Sequence, residues 1–289
     1  SLESNTCGNN NTAVGADALA ANTTACNNVA IGKSALTANT TGGCNVAVGN
    51  DSLIGSVSAS SNTAVGHCAM LCTNATQNVA VGAEALRCNY NGCRNTAVGF
   101  NAMLYNTYGI QNTAVGRSAL QANTTGGYNV AVGMAAGCGN TTGIHNTYVG
   151  YAAGITNSTS EGNTGLGYDT LYYNTASQNT AVGDQALQAN TTGCRNTAVG
   201  AYALQDNNTG LYNAAFGRTS FTNNTCGCFN TGFGTYTGYA NTTGLANTYL
   251  GYAAGYTSIT SSGNTGVGTQ ALYSNTGEGN TAMGNCALV

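Results

Sequence analysis

The chain has 289 residues, of which 5% are charged and 42 are glycine, with no proline and no tryptophan. Charged residues usually make up about a quarter of a globular domain, so surface ion pairs can contribute little cohesion here. The net charge of -3 with six basic residues argues against nucleic acid, which requires a basic stripe. No run of about 18 apolar residues exists, which argues against a membrane-spanning helix.

One short motif, an asparagine four residues before a glycine, recurs along the whole chain from Asn11–Gly15 onward. It occurs 17 times with a step of 17 residues, except for three steps of 16, which end at Gly82, Gly183 and Gly284. The short steps lie 101 residues apart, so a block of six copies forms a second, longer repeat. A fixed short period predicts one continuous repeat domain over residues 1–289, with an incomplete half-coil at each end.

Within each copy, the segment from the motif asparagine to its glycine predicts a short strand, because apolar β-branched residues alternate there. The following pair, Ala18-Leu19 in the first copy, predicts a second extended piece, and Asn-Thr-Thr-Gly predicts a turn. Stacked copies would pair each strand with its counterparts about 4.8 Å above and below. The sequence therefore predicts an all-β fold, a parallel β-solenoid (β-roll) of about 17 coils.

The strand has two faces, and we expect the bulkier residues to point into the coil. The predicted core contains the residue before each motif glycine and the leucine of the second piece: Val14, Ile31, Val48, Val65, Val81, Val98 and Val115, with Leu19, Leu36, Leu53, Leu86, Leu120, Leu187, Leu204 and Leu272. The alanines between them, such as Ala97 and Ala114, would form an outward strip that packs laterally against another solenoid. In two of the coils where glycine replaces the leucine, Tyr148 and Tyr249 are candidates to fill the space that the leucine would occupy.

The motif residues are expected to stand in register, one set per coil. The predicted structural ladder begins with Asn11, Asn28, Asn45, Asn62, Gly15, Gly32, Gly49 and Gly66. Side-chain amides in such a row can bond along the stack and satisfy the backbone of the turns. Ligand binding by the asparagine row is the alternative interpretation.

The segment Asn28-Val29-Ala30-Ile31-Gly32-Lys33-Ser34-Ala35 resembles the head repeat of the YadA-like trimeric autotransporter adhesins, and related repeats of phage and viral tail fibres. The resemblance extends over essentially the whole chain, copy by copy. It implies a left-handed parallel β-roll displayed outside the cell and used to adhere to surfaces.

Twelve cysteines without zinc-type CxxC pairs favour an oxidising, extracellular setting. Disulfide candidates are Cys72, Cys88, Cys93, Cys226 and Cys228; Cys72 and Cys93 compete for Cys88. Candidates for intermolecular bridges, or alternatively inert thiols, are Cys138, Cys194 and Cys286. His67 beside Cys68 and Cys72 suggests a metal, but without a ligand-spacing pattern we predict neither a metal nor another cofactor.

Eight asparagines begin an Asn-x-Ser/Thr sequon at the same turn position: Asn22, Asn39, Asn123, Asn140, Asn157, Asn190, Asn207 and Asn241. Four further sequons begin elsewhere, at Asn10, Asn50, Asn74 and Asn223. In a secreted eukaryotic or archaeal protein these are candidate N-glycosylation sites. The alternative is that Asn-Thr-Thr-Gly is simply favourable turn chemistry.

The sequence does not indicate an enzyme, since His67 and His145 lie several coils apart and no serine has a recognisable base partner. The leading hypothesis is a subunit of an extracellular filament or fibre, assembled with itself head to tail. Residues 1–8 match the second half of a copy. Residues 287–289 begin such a half but do not complete it. A fragment of a longer fibre is the alternative interpretation.

Two other functions remain open. One is an adhesin head or tail-fibre segment that binds a cell surface or a glycan. The other is an ice-binding protein, because Thr12, Thr63 and Thr96 share a row, although Val29 and Val46 interrupt it.

Overall fold

The computed structural model describes residues 1–289 and contains 17 strands of three residues each, with no helix. Paired strands are parallel and in register, so that Thr12 lies opposite Val29, Ala13 opposite Ala30 and Val14 opposite Ile31. The prediction of an all-β parallel solenoid is confirmed, and each coil contributes one strand. No helix with the length and apolar character of a membrane span is present.

The chain divides into two compact units, Ser1–His145 and Asn146–Val289. The first unit contains β1 Thr12–Val14, β2 Val29–Ile31, β3 Val46–Val48, β4 Thr63–Val65, β5 Val79–Val81, β6 Thr96–Val98, β7 Thr113–Val115 and β8 Val130–Val132. The second contains β9 Thr147–Val149, β10 Thr164–Leu166, β11 Thr180–Val182, β12 Thr197–Val199, β13 Ala214–Phe216, β14 Thr231–Phe233, β15 Thr248–Leu250, β16 Thr265–Val267 and β17 Thr281–Met283. Within each unit, consecutive strands pair. A single continuous domain and a left-handed coil stay predictions.

The rest of each coil is a series of tight turns built on left-handed residues. In the first coil Asn10, Asp17 and Leu19 have φ of 57°, 58° and 51°, and the same three positions recur in the later coils. The predicted second strand is therefore wrong, because the leucine occupies a left-handed turn. This conformation costs a non-glycine residue about 1 to 2 kcal/mol, so glycine at the leucine position of four coils, as at Gly154 with φ 63°, removes strain.

The core is formed by the middle residue of each strand and the turn leucine. Ala30, Ala47 and Leu36 are fully buried, whereas the side chains of Val14 and Ile31 are 57% and 41% exposed. The prediction that the valines and isoleucines fill the core is therefore wrong, while the leucines are buried as predicted. The first and third residues of a three-residue strand share the outward face, and the leucine leaves room beside it only for a methyl group.

Aromatic rings fill three of the four coils in which glycine replaces leucine. A Cβ atom built on Gly154 would lie 2.3 Å from the ring of Tyr148, and one on Gly255 would lie 2.4 Å from that of Tyr249. The filling role of both tyrosines agrees with the prediction. The sequence missed Phe221, which occupies the leucine position of its own coil and also reaches Gly238 in the next, 2.3 Å from a Cβ built there.

Candidate functional site

One exposed feature that recurs in every coil is the outward face, which we define as the first and third residues of every strand. In the second unit, eight of the nine first positions are threonine, and the third positions are Val, Leu, Phe or Met. The side chains of Leu166, Phe233 and Leu250 are 47%, 44% and 47% exposed. Neither column contains a charged residue, so each unit presents a regular, uncharged surface with a repeat of about 4.8 Å.

The alanine strip does not belong to this face. Ala97 and Ala114 are fully buried inside their coils, so they cannot form the predicted lateral surface. The strand faces are the reverse of those predicted. The residues available for lateral packing are therefore the threonines and valines of the outward face.

Two ladders of asparagine side chains run inside each unit. In the motif ladder, Asn28 N–H donates to Asn11 Oδ1 at 3.0 Å, and Asn45 N–H donates to Asn28 Oδ1 at 2.9 Å. In the turn ladder, Asn123 Nδ2 donates to Asn106 Oδ1 at 2.7 Å and to the Gly126 carbonyl at 2.9 Å. These amides are buried and occupied within the stack, which favours the structural over the ligand-binding interpretation.

The turn ladder contradicts the eight predicted glycosylation sites. Their side chains, those of Asn22, Asn39, Asn123, Asn140, Asn157, Asn190, Asn207 and Asn241, are fully buried. A glycan on Nδ2 would replace a hydrogen bond of the ladder and has no space inside a coil. The other sequon asparagines are accessible: Asn10, Asn50 and Asn74 are exposed and Asn223 is half-buried.

All twelve cysteines are free thiols, and no two lie at disulfide distance. The predicted pairings among Cys72, Cys88, Cys93, Cys226 and Cys228 are therefore wrong. Equivalent positions of parallel coils lie about 4.8 Å apart with parallel side chains, whereas a disulfide requires Cβ atoms about 3.8 Å apart that face each other.

The three cysteines predicted to form intermolecular bridges differ in access. Cys286 is exposed, whereas Cys138 and Cys194 are half-buried. The Sγ atom of Cys138 donates to Gln121 Oε1 at 3.6 Å, and burial raises the pKa of this thiol. An intermolecular bridge through any of the three stays a prediction, and access favours Cys286.

Asp51, His67 and Cys68 are the one set of three different metal-ligand side chains that the fold brings together. Their ligand atoms all lie within 4.8 Å of one another. Burial is the main cause that raises the pKa of the Cys68 thiol, and the negative charge of the Asp51 carboxylate raises it further. The sequence analysis named His67, Cys68 and Cys72 as a possible metal-binding group. In the structure Asp51, and not Cys72, is the third member of the cluster. The missed signal was the 17-residue period, which places Asp51 and Cys68 at the same position of successive coils.

Two cavities lie beside coils of 16 residues. One, of about 250 Å³, is lined by Gly55, Cys72, Thr73, Asn74 and Tyr90. The other, of about 330 Å³, is lined by Thr257, Ile259, Thr260, Ser261 and Thr276. In each case the short coil lacks one residue of its Asn-Thr-Thr turn, and the missing residue leaves a notch in the row of turns.

Tyrosines form a stacked column on the surface of the second unit. The ring of Tyr256 stacks on Tyr239 and on Tyr273, with centroid distances of 5.0 Å in both cases. Such pairs add about 0.5 to 1.5 kcal/mol beyond area burial. Because the rings cover one another's faces, the column presents mainly edges to solvent and strengthens the contact between coils.

Comparisons with protein-family models, with curated proteins and with solved structures found no match. The resemblance to adhesin head repeats therefore stays a prediction.

Proposed function

We propose that the chain is a non-enzymatic structural element of an extracellular fibre, in which solenoid coils stack head to tail. The observation that carries the proposal is that each coil serves as a template for the next. Strand backbone, turn backbone and two asparagine ladders all bond along the stacking direction, as in Thr12 N–H to the Asn28 carbonyl at 2.8 Å.

A coil at the end of such a stack presents the donors and acceptors that its interior equivalents use. Unpaired strand edges are templates for further pairing. The occupant that matches this edge residue for residue is a coil of the same repeat, which we assign to a second copy of this chain.

The outward face supports lateral association of such fibres. It is uncharged, and a copy of the same face has the same repeat of about 4.8 Å along the stack, so two copies can interdigitate without burying charge. Lateral packing, first expected from the alanines, is thus proposed for the valine and threonine columns.

Electron microscopy and sedimentation of the natively purified protein, without reductant, test both associations. We expect filaments that are several solenoids thick, and thinner filaments for Val115→Lys, because lysine places a charge in the lateral contact. Thr125→Lys, with the same charge change in an exposed turn, is the control and should assemble like the wild type. Particles that stay monomeric at all concentrations would overturn head-to-tail assembly; unchanged Val115→Lys filaments would overturn only the lateral contact.

Ice binding is a second candidate, favoured by the nearly unbroken threonine column of the second unit. Regular hydroxyls and methyl groups on an uncharged face can order water, but the same face cannot also be covered by a second copy. We expect thermal hysteresis from monomeric protein if this function holds, with loss of the effect in Thr248→Lys. An absence of hysteresis in the wild type would remove the candidate. The adhesin interpretation stays a prediction.

A further inference from the structure

We propose that Asp51, His67 and Cys68 bind one divalent transition-metal ion, with Zn²⁺ the best match. The inference does not depend on fibre formation, since all three residues belong to one chain and to two successive coils.

The spacing of the three side chains resembles that of a tetrahedral site. Cys68 Sγ lies 3.5 Å from each of the two ring nitrogens of His67, Nδ1 and Nε2. Zinc bonds of about 2.3 Å to sulfur and about 2.0 to 2.1 Å to nitrogen, at a tetrahedral angle, place the two ligand atoms about 3.5 Å apart. The Asp51 carboxylate lies within 4.8 Å of both, so a small rotation of side chains completes the set. One thiolate, one imidazole and one carboxylate are all ligands that zinc accepts.

The coil geometry creates this arrangement. Asp51 and Cys68 both follow a motif glycine by two residues and have φ of 56° and 54°. Their backbone N–H groups are each fixed at 3.0 Å to the preceding coil, on Lys33 and Asn50 carbonyls. The same left-handed turn thus projects the carboxylate and the thiol from equivalent places in neighbouring coils, and His67 adjoins the thiol in sequence.

Asn50 fixes the carboxylate of the cluster and lies beside its imidazole. Its Nδ2 donates to Asp51 Oδ2 at 2.8 Å and lies 3.5 Å from His67 Nδ1. An amide nitrogen only donates, so it hydrogen-bonds Nδ1 only while Nδ1 is unprotonated. Binding of the ion at Nε2 places the ring proton on Nδ1, which then donates to water rather than to Asn50.

Three protein ligands leave a fourth position open to water, because His67 is exposed. The ion would link the coil that contains Asp51 to the following 16-residue coil, which begins at His67. This is the place in the first unit where the regular period is interrupted. The chemistry we assign is therefore a surface zinc site that joins two coils.

Titration of the full chain with Co²⁺, in a reductant that does not bind metals, tests the proposal. Three variants remove one ligand each: Asp51→Ser, His67→Asn and Cys68→Ser. Each introduces a residue that this chain already uses at the equivalent position of another coil, namely Ser34 for Asp51 and Cys68, and Asn50 for His67. The control is Cys72→Ser, which removes an exposed thiol of the same coil outside the cluster.

We expect one equivalent of Co²⁺ with a thiolate-to-metal charge-transfer band that Zn²⁺ abolishes, in the wild type and in Cys72→Ser. Each cluster variant should bind at least about tenfold more weakly, since changes even beyond the direct ligands cost 10 to 100-fold. Zn²⁺ should also raise the melting temperature of the wild type but not of Cys68→Ser. No saturable binding in the wild type, or equal binding by Cys68→Ser, would overturn the proposal; if one variant failed to fold, the other two would decide.

Discussion

Replacing Ala97 by glutamate is expected to lower the free energy of unfolding of the first unit by about 4 kcal/mol or more. Ala97 is fully buried and lies between Ala80 and Ala114 in the strand ladder. The new side chain would overfill a space that holds only a methyl group, and its carboxylate would have no basic partner inside the coil. Urea denaturation followed by circular dichroism measures the change.

The matched control is Thr96→Glu, one residue earlier in the same strand. Thr96 is half-buried on the outward face, so its glutamate can reach water, and we expect a change within about 1 kcal/mol. The sequence-based assignment of faces predicts the opposite order of effects, with the alanine the more tolerant position. Equal losses from the two variants, or a larger loss from Thr96→Glu, would mean that the strand faces are assigned incorrectly.

The coil length, strand position and parallel register could be predicted from the sequence because the period fixes all three. A motif that recurs every 17 residues can be satisfied only if each copy meets its equivalent, so Asn28 must stack on Asn11 and Gly32 on Gly15. This constraint is stronger than local propensity, since a shift of one residue would place every side chain on the wrong face.

The inward face could not be chosen by bulk alone. A three-residue strand offers one residue to one face and two to the other, and side-chain size favours burying the valines. The space that the turn leucine leaves beside the strand decides which face is buried. The residues of the strand alone do not show that space. The sequence did contain the signal: Tyr148 occupies the alanine position in the coil where Gly154 replaces leucine, so the two positions share one volume.

The candidate sites show the same limitation. Sequons and cysteines were identified from residues that are neighbours in sequence, yet access and approach depend on the stack. Asn123 is accessible in an isolated turn and buried in a ladder, whereas Asp51 is distant from His67 in sequence and adjacent across two coils. Comparing equivalent positions of successive copies would have found the cluster.

Replacing Asn95 by alanine is expected to lower the free energy of unfolding by about 3 kcal/mol. Asn95 Oδ1 accepts the Asn112 N–H at 2.9 Å, and its Nδ2 donates to the Gly109 carbonyl at 2.8 Å. Both partners would remain buried after the substitution, and a buried polar group without a partner costs about 1 to 3 kcal/mol. The measurement is again denaturation by urea, at a concentration where the protein is monomeric.

Asn91→Ala is the control, because Asn91 is exposed in the turn of the same coil and its loss should change stability by no more than about 0.5 kcal/mol. Hydrogen exchange adds a local test: the Asn112 amide should exchange faster in Asn95→Ala, since its acceptor is gone. If the two variants were equally stable and the Asn112 amide stayed protected, strand pairing alone would hold successive coils together. A loss confined to Asn95→Ala would instead assign a large part of the coil-to-coil cohesion to the motif asparagine, and with it the reason why every copy has one.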